Sequence, residues 1–156
     1  MNNLREAIRQ GFLFLVNEYD FRLVETTEDT FFYKLVFKNK TTGVVVLYEN
    51  RDQVIEVLLY RLRNGEIIKN ITRALRSNEK MNAFNLNFIV QFKNPSDIPL
   101  PIHEYPDNSD MFKDGYSKYV NLYVRNLKKY ADEILRGDFS SFIELEEQFR
   151  DMHSKR

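Results

Sequence analysis

The sequence contains no cysteine, and only two of its 156 residues are histidine. The absence of cysteine excludes disulfide frameworks, thiol nucleophiles and thiolate metal sites. A chain of this kind suits the reducing cytosol best, so we expect a cytoplasmic protein. Glycine and proline are also scarce, with five and four residues respectively, which excludes a low-complexity chain.

The sequence also lacks an excess of charge and a long hydrophobic run. Its 23 basic and 23 acidic residues cancel, so the chain has no general electrostatic attraction for nucleic acid. The longest apolar run, Phe12 to Val16, is far short of the ~20 residues that span a bilayer. The segment Met1 to Glu6 does not resemble the start of a signal peptide. We therefore expect neither a nucleic-acid partner nor a membrane segment.

Apolar and aromatic side chains are abundant. Hydrophobic residues make up 43% of the chain, and there are 13 phenylalanines and nine tyrosines. A domain of this length buries roughly 70% of the surface that its unfolded chain exposes. We expect a single α+β domain over residues 1–156, with one core that needs neither disulfide nor metal.

The amino-terminal residues have the period of an amphipathic helix. Apolar side chains recur at three- and four-residue spacing from Leu4 to Tyr19, which places them on one stripe. The spacing predicts one helix over this range, packed on the core.

From Phe21 the period changes to two, which is typical of an antiparallel meander. Polar turns are predicted at Thr26 to Thr30 and at Asn39 to Gly43, and Arg63-Asn64-Gly65-Glu66 carries the Asn-Gly pair of tight hairpins. Val44 to Tyr48 is apolar on both faces, which favours a central strand covered from two sides or a homodimer contact through this strand. The predicted strands are Phe21 to Glu25, Phe31 to Lys38, Val44 to Tyr48 and Gln53 to Leu62, with Glu66 to Ile71 as a final strand or a lead into a helix.

The middle of the chain is less regular. Asn85 to Phe92 fits a helix and a strand, and we favour a short helix after Asn85. All four prolines lie between Pro95 and Pro106, which predicts an extended connection there.

The helical period returns in the last third of the chain. An apolar stripe runs from Asp110 to Leu135, and Gly137 suits the left-handed residue that ends a helix. A second, shorter stripe runs from Phe142 to Met152. The fold predicted is α+β: an N-terminal helix, an antiparallel meander of four or five strands, and two C-terminal helices packed on one face of the sheet.

No arrangement of residues has the spacing of a catalytic or cofactor site. His103 and His153 lack companions at metal-ligand spacing, and no serine lies in a Gly-x-Ser-x-Gly turn. The acids Glu144, Glu146 and Glu147 fit a solvated first helical turn better than an acid–base pair. The glycines stand apart, without the spacing of a phosphate loop. We expect no enzymatic activity, no cofactor and no metal.

Two groups of residues suggest recognition. Tyr105, Asp107, Asp110 and Phe112 combine aromatic area with negative charge, which suits a basic protein partner, although a solvated loop before a helix has the same pattern. An alternative is a small-ligand module or enzyme, with a pocket between the sheet and the C-terminal helices. Its lining would be Tyr116, Tyr119, Tyr123 and Tyr130, which core packing also explains.

Two segments resemble a known family when taken together. Gly11 to Phe21, in which a helix ends in Tyr19-Asp20-Phe21, resembles the opening of small cytosolic immunity proteins of bacterial polymorphic and contact-dependent toxin systems. Lys129 to Ser140 resembles their closing helices. The resemblance implies a protein that binds a cognate toxin and occludes it, without catalytic residues of its own.

Overall fold

The structure is a computed structural model that describes residues 2–70, 79–106 and 110–154. The helices are α1 (Asn2–Phe12), α2 (Phe14–Tyr19), α3 (Leu86–Lys93), α4 (Ser117–Leu135) and α5 (Phe142–Ser154). The strands are β1 (Arg22–Glu28), β2 (Phe32–Lys38), β3 (Thr42–Glu49), β4 (Val54–Arg61) and β5 (Ala83–Asn85). The predicted α+β fold, with an N-terminal helix, an antiparallel sheet and two C-terminal helices, is confirmed.

The five strands form one antiparallel sheet in the order β1-β2-β3-β4-β5. The register pairs Val36 with Val45 and Val45 with Leu58, so these three side chains lie side by side on one face. β3 is the central strand, as its doubly apolar pattern predicted. β1 is an edge strand with a bulge between Leu23 and Glu25, which disturbs an edge that would otherwise be open to pairing.

The core lies between the inner face of the sheet and the helices. Burying these side chains supplies most of the driving force for folding. Inward-facing strand residues in the core include Leu35, Phe37, Val44, Val46, Tyr48, Ile55, Val57 and Leu59. Helical residues in the core include Ile8, Phe12, Ile89, Tyr119, Tyr123, Leu127, Ile134 and Phe142.

The first turn in the sheet is shorter than predicted. β1 continues to Glu28, and the turn is confined to a few residues around Asp29. The Asp29 carboxylate accepts hydrogen bonds from the backbone amides of Phe31 (2.7 Å) and Phe32 (3.0 Å). Because one aspartate satisfies both amides, the chain reverses without the longer polar turn expected from Thr26 to Thr30. The Arg63–Glu66 hairpin is confirmed, with Asn64 at φ 53° and Gly65 at φ 78°.

The predicted single helix from Leu4 to Tyr19 is wrong in one respect, because it is divided at Leu13. There the Leu13 amide bonds the Gln10 carbonyl, three residues back, at 3.3 Å. The tighter turn changes the direction of the chain between α1 and α2, and Leu15 of α2 packs in the core. Asp20 ends α2 in the left-handed conformation at φ 60°.

The long C-terminal helix begins later than the predicted Asp110. Tyr116 has φ 74°, and a residue in this conformation cannot belong to a right-handed helix, so α4 starts at Ser117. Asp110–Phe112 forms a separate 3₁₀ turn. Gly137 has φ 90°, which confirms the predicted left-handed residue after α4.

The middle of the chain contains a short strand followed directly by a helix. Ala83–Asn85 pairs with β4 as a fifth strand, and Asn85 then begins the helix predicted there, accepting the Asn87 amide at 2.8 Å. The proline-rich connection is only partly extended, because Pro95–Asp97 and Ile102–Glu104 form 3₁₀ turns. Residues 66–70 form no final strand, and the end of that predicted element, Ile71, lies outside the described residues.

Candidate functional site

Among the described residues, no helix packs on the outer face of the sheet. Its centre is a small apolar cluster of buried side chains from Val36, Val45, Tyr60 and Ala83. Leu58, Leu62 and Ile67 pack against this cluster, and Ile67 reaches it from the segment after the Arg63–Glu66 hairpin. The outer face is therefore apolar at its centre, and the described residues cover it only in part.

A surface depression of about 600 Å³ runs across this face, and we call it the outer groove. Its apolar lining comes from Val24, Val36, Val45, Leu47, Leu58, Tyr60 and Ile67. Charged side chains stand around it as ion pairs: Lys34 with Glu25 at 3.3 Å, and Lys38 with Glu66 at 3.6 Å. An apolar floor within a charged rim is the usual anatomy of a protein interface.

Phe31 extends the apolar surface beyond the outer groove. The residue is 74% exposed, while its backbone is fixed by a hydrogen bond from its amide to the Asp29 carboxylate and by a 2.9 Å hydrogen bond from the Asn50 amide to its carbonyl. It lines a second depression of about 430 Å³ with Phe32, Leu47, Glu49 and Arg51. Because Leu47 lines both depressions, they form one continuous surface.

Sequence reasoning did not select these outer-face residues. The available signal is the apolar character of both faces of Val44 to Tyr48, which predicts either a strand covered from two sides or a homodimer contact. The structure buries Val44, Val46 and Tyr48 on the inner face and leaves Leu47 partly exposed on the outer one. Since β3 is paired on both edges, a second subunit could contact Val44 to Tyr48 only through the outer-face residues Val45 and Leu47.

The four predicted contact residues are in different environments. Tyr105 and Phe112 are partly buried, and their rings pack edge to face with centroids 6.1 Å apart. Asp110 is exposed and pairs with Lys113 at 2.6 Å. Asp107 lies outside the described residues.

The tyrosines predicted to line a ligand pocket are mostly engaged in packing. Tyr119 and Tyr123 are buried with their hydroxyl oxygens 3.2 Å apart, and burial raises the pKa of both, that of Tyr123 to about 12. The Tyr130 hydroxyl donates to the Asp97 carboxylate and holds the proline-rich connection on α4. Tyr116 differs from these three, because it lines a cavity.

This cavity has a volume of about 440 Å³, and we call it the aromatic pocket. Its lining comes from Leu4, Tyr48, Gln53, Ile102, His103, Tyr105, Phe112 and Tyr116. It therefore joins α1, the end of β3 and the residues before α4, and it includes two of the predicted contact residues.

The remaining candidates for chemistry do not converge. No group of three or more histidine, aspartate or glutamate side chains suited to a metal ion occurs in residues 2–70, 79–106 and 110–154. His153 packs on Phe149, with ring centroids 4.0 Å apart. Glu144 and Glu147 are exposed, whereas Glu146 is buried beside Arg61.

The two segments that carry the family resemblance meet in space. The Asn39 side-chain amide donates to the Tyr19 carbonyl (3.3 Å) and to the Leu135 carbonyl (3.2 Å), so the turn after β2 joins the end of α2 to the end of α4. Arg136 then covers the Tyr19 ring at 4.9 Å. These contacts join the end of α2 to the end of α4. The sequence features of the two segments therefore have a structural role at these helix ends.

In comparisons with known proteins, no family model, curated protein or solved structure matches the chain. Within the part of the chain that the structure describes, no helix has the length and hydrophobicity needed to cross a bilayer.

Proposed function

We propose that this protein is a non-catalytic protein-binding domain, and that it binds its partner through the outer groove and Phe31. The observation that carries the proposal is the exposure of Phe31, 74% accessible, beside an apolar groove on a sheet face that no described helix covers. Burying such a ring against a partner releases it from water at little entropic cost, because its backbone is already fixed.

The surroundings of Phe31 support an interface. Large contiguous apolar patches are uncommon on monomeric proteins and often mark sites of association. Aromatic anchors near the centre of an interface carry most of its binding energy. The ion pairs Lys34–Glu25 and Lys38–Glu66 would then form the polar rim that excludes water from the anchor.

We further propose that the partner is a bacterial toxin and that the protein is its cytoplasmic immunity protein. This part rests on the resemblance of Gly11 to Phe21 and Lys129 to Ser140 to immunity proteins. Neutralisation would occur by occlusion: the bound domain covers the surface through which the toxin reaches its substrate. Such a mechanism is stoichiometric and needs neither a catalytic residue nor a cofactor.

The direct test is binding to the toxin-like product of an adjacent gene, measured by copurification and calorimetry. We expect a one-to-one complex in which Phe31→Ala weakens binding by roughly 30-fold or more, equivalent to about 2 kcal/mol. Ile143→Ala is the matched control, because Ile143 is also a large exposed hydrophobic residue, 65% accessible on α5. The control should bind like the wild-type protein.

Different outcomes separate the parts of the proposal. If no neighbouring toxin-like protein forms a complex, the immunity function is wrong. If a complex forms but Asp110→Ala weakens it while Phe31→Ala does not, the contact surface is the acidic segment containing Tyr105, Asp110 and Phe112. If sedimentation finds a dimer that Leu47→Asp dissociates, the outer groove is instead a homodimer contact.

A further inference from the structure

The aromatic pocket has the dimensions and the lining of a small-molecule site. Its volume of about 440 Å³ falls within the roughly 300–1,000 Å³ usual for ligand pockets. Four aromatic side chains line it: Tyr48, Tyr105, Phe112 and Tyr116. We propose that this pocket binds a small organic ammonium cation, an activity independent of the protein partner proposed above.

The first argument is the set of unpaired polar groups in the residues of the lining. The Tyr48 hydroxyl makes no hydrogen bond to the described part of the chain, and it is not among the fully enclosed unpaired atoms. The Tyr116 hydroxyl and the Gln53 side-chain amide make none to the described residues either, and all three residues line the pocket. An occupant that offers polarised N–H or N–CH groups would supply partners for these oxygens.

The second argument is the backbone at the pocket wall. Gln53 and Tyr116 have φ values of 52° and 74°, in the left-handed region that side chains other than glycine, asparagine and aspartate rarely adopt. The conformation carries a free-energy cost and persists where the surrounding structure imposes it, often at ligand sites. Here both unusual residues line the same cavity.

The third argument is the arrangement of the rings. The Phe112 ring meets the Tyr105 ring at 85° and the Tyr116 ring at 64°, with centroids 6.1 and 5.3 Å apart. Rings at such angles form adjoining walls rather than a single stack. Aromatic walls attract a cation through the negative potential of their faces, and cages of this type recognise quaternary ammonium groups.

The fourth argument is charge. No carboxylate of the described residues lines the pocket, but Glu104 and Asp114 lie close in sequence to its lining residues Tyr105 and Phe112, and Asp110 is paired with Lys113 at 2.6 Å. The nearby Arg5 guanidinium is compensated by Glu28 at 3.1 Å. The local potential therefore favours a cation over an anion, and the neutral lining leaves its recognition to the rings.

The walls are fixed before any ligand binds. The Ile102 amide donates to the Gln53 carbonyl at 2.8 Å, which holds the proline-rich connection against the turn between β3 and β4. The Leu100 amide donates to the Tyr105 hydroxyl at 3.1 Å, and the Tyr105 ring packs on Tyr119 at 5.7 Å. A preorganised pocket loses little conformational entropy on binding.

Choline is a suitable probe, and its uncharged analogue, in which a carbon atom replaces the nitrogen, is the matched ligand control. We expect saturable choline binding to the full chain by NMR titration or calorimetry, and binding of the neutral analogue about tenfold weaker. Phe112→Leu should weaken choline binding about tenfold, whereas Phe112→Tyr should retain it. Phe31→Leu, on the outer face, should leave it unchanged.

The comparison of the two ligands on the wild-type chain does not depend on the folding of any variant. Equal affinity for choline and its neutral analogue would overturn the proposal, because shape and not charge would then decide binding. Absence of saturable choline binding would overturn it as well. Loss of toxin binding with choline binding intact would overturn only the function proposed in the preceding subsection.

Discussion

The Tyr19 hydroxyl donates a 2.6 Å hydrogen bond to the Asp132 carboxylate, although 113 residues separate the two in sequence. The contact joins the end of α2 to the last turns of α4. Arg136 strengthens it, since its Nε lies 3.2 Å from the same carboxylate. Burial, and then the Asp132 hydrogen bond, raise the pKa of Tyr19 to about 12 from its ordinary 10.0.

This pKa predicts how stability depends on pH. A raised native pKa means that Tyr19 contributes its full stabilisation below pH 10 and loses it as the pH rises to about 12. The difference in unfolding free energy between wild type and Tyr19→Phe should therefore shrink across this window. Urea unfolding at a series of pH values measures it, and a difference that stays constant through this range would contradict the assignment.

Asp132→Asn provides the control for the cause of the shift. It removes the negative charge but keeps a hydrogen-bond acceptor, so the pKa of Tyr19 should fall part of the way towards 10, with burial maintaining the rest. Phenolate absorbance reports the titration, and subtracting the curve of Tyr19→Phe isolates this one tyrosine. An unchanged Tyr19 titration in Asp132→Asn would leave burial as the sole cause.

Most of the fold was predictable because its signals are local. The alternation of apolar and polar side chains predicts the strands, and the Asn64-Gly65 pair predicts the Arg63–Glu66 hairpin. The errors occur where one residue opposes a continuing pattern. The apolar stripe of the C-terminal helix runs through Tyr116, but the positive φ of Tyr116 stops the helix there, and no side-chain pattern records a backbone dihedral angle.

The candidate site was less predictable for a different reason. Leu47 and Leu58 look like core residues in sequence, because apolar character does not reveal whether a second layer exists to cover it. Phe31 looks like the start of a strand, and only its position beside the Asp29 turn directs it outward. Surface recognition depends on what the remaining chain fails to cover, which is a property of the whole fold.

Gly11 permits the close approach of α1 and α4. A Cβ atom at this position would lie 2.5 Å from Cγ1 of Val120, a fully buried residue whose branched side chain has little rotamer freedom in a helix. Gly11→Ala should therefore destabilise the protein by about 1–3 kcal/mol despite the better helix propensity of alanine. Thermal and urea unfolding measure the change.

A substitution of Val120 distinguishes this steric clash from a change in the helix propensity of residue 11. In the Val120→Ala background the obstructing methyl is absent, so Gly11→Ala should become neutral or stabilising by up to about 1 kcal/mol. If Gly11→Ala costs the same in both backgrounds, contact with Val120 is not the reason for the glycine.

Thr42 satisfies a carbonyl at the end of α4. Its hydroxyl donates to the Ile134 carbonyl at 2.9 Å, and the residue is fully buried. The Ile134 carbonyl also accepts the Gly137 amide at 3.0 Å, so Thr42→Val removes one of its two hydrogen bonds, at a cost of about 1 kcal/mol. Thr27→Val in β1 makes the same chemical change at an exposed position and should alter stability by less than about 0.5 kcal/mol. Equal effects at the two positions would refute the role of the hydrogen bond.

Glu146 is the buried carboxylate that joins α5 to the sheet. Its Oε1 accepts the Met81 amide at 3.2 Å and lies 3.7 Å from the Arg61 guanidinium, which in turn donates to the Met81 carbonyl at 2.8 Å. Glu146→Ala leaves Arg61 without its countercharge and the Met81 amide without an acceptor. We expect a loss of about 3 kcal/mol, whereas Glu133→Ala, which breaks a partly exposed ion pair with Lys93, should cost less than about 0.5 kcal/mol.

A double variant separates the cost of burying the Arg61 and Glu146 charges from the attraction between them. Burial lowers the pKa of Arg61, which indicates that its charge is only partly compensated. Replacing Arg61 by methionine together with Glu146→Gln removes both charges and keeps an acceptor for the Met81 amide. This double variant should be more stable than Glu146→Ala by about 1–2 kcal/mol in urea unfolding, because the Arg61 charge is no longer left buried without Glu146. If it is instead the least stable of the three proteins, attraction between Arg61 and Glu146 outweighs their desolvation, and the pair contributes net stability to the packing of α5.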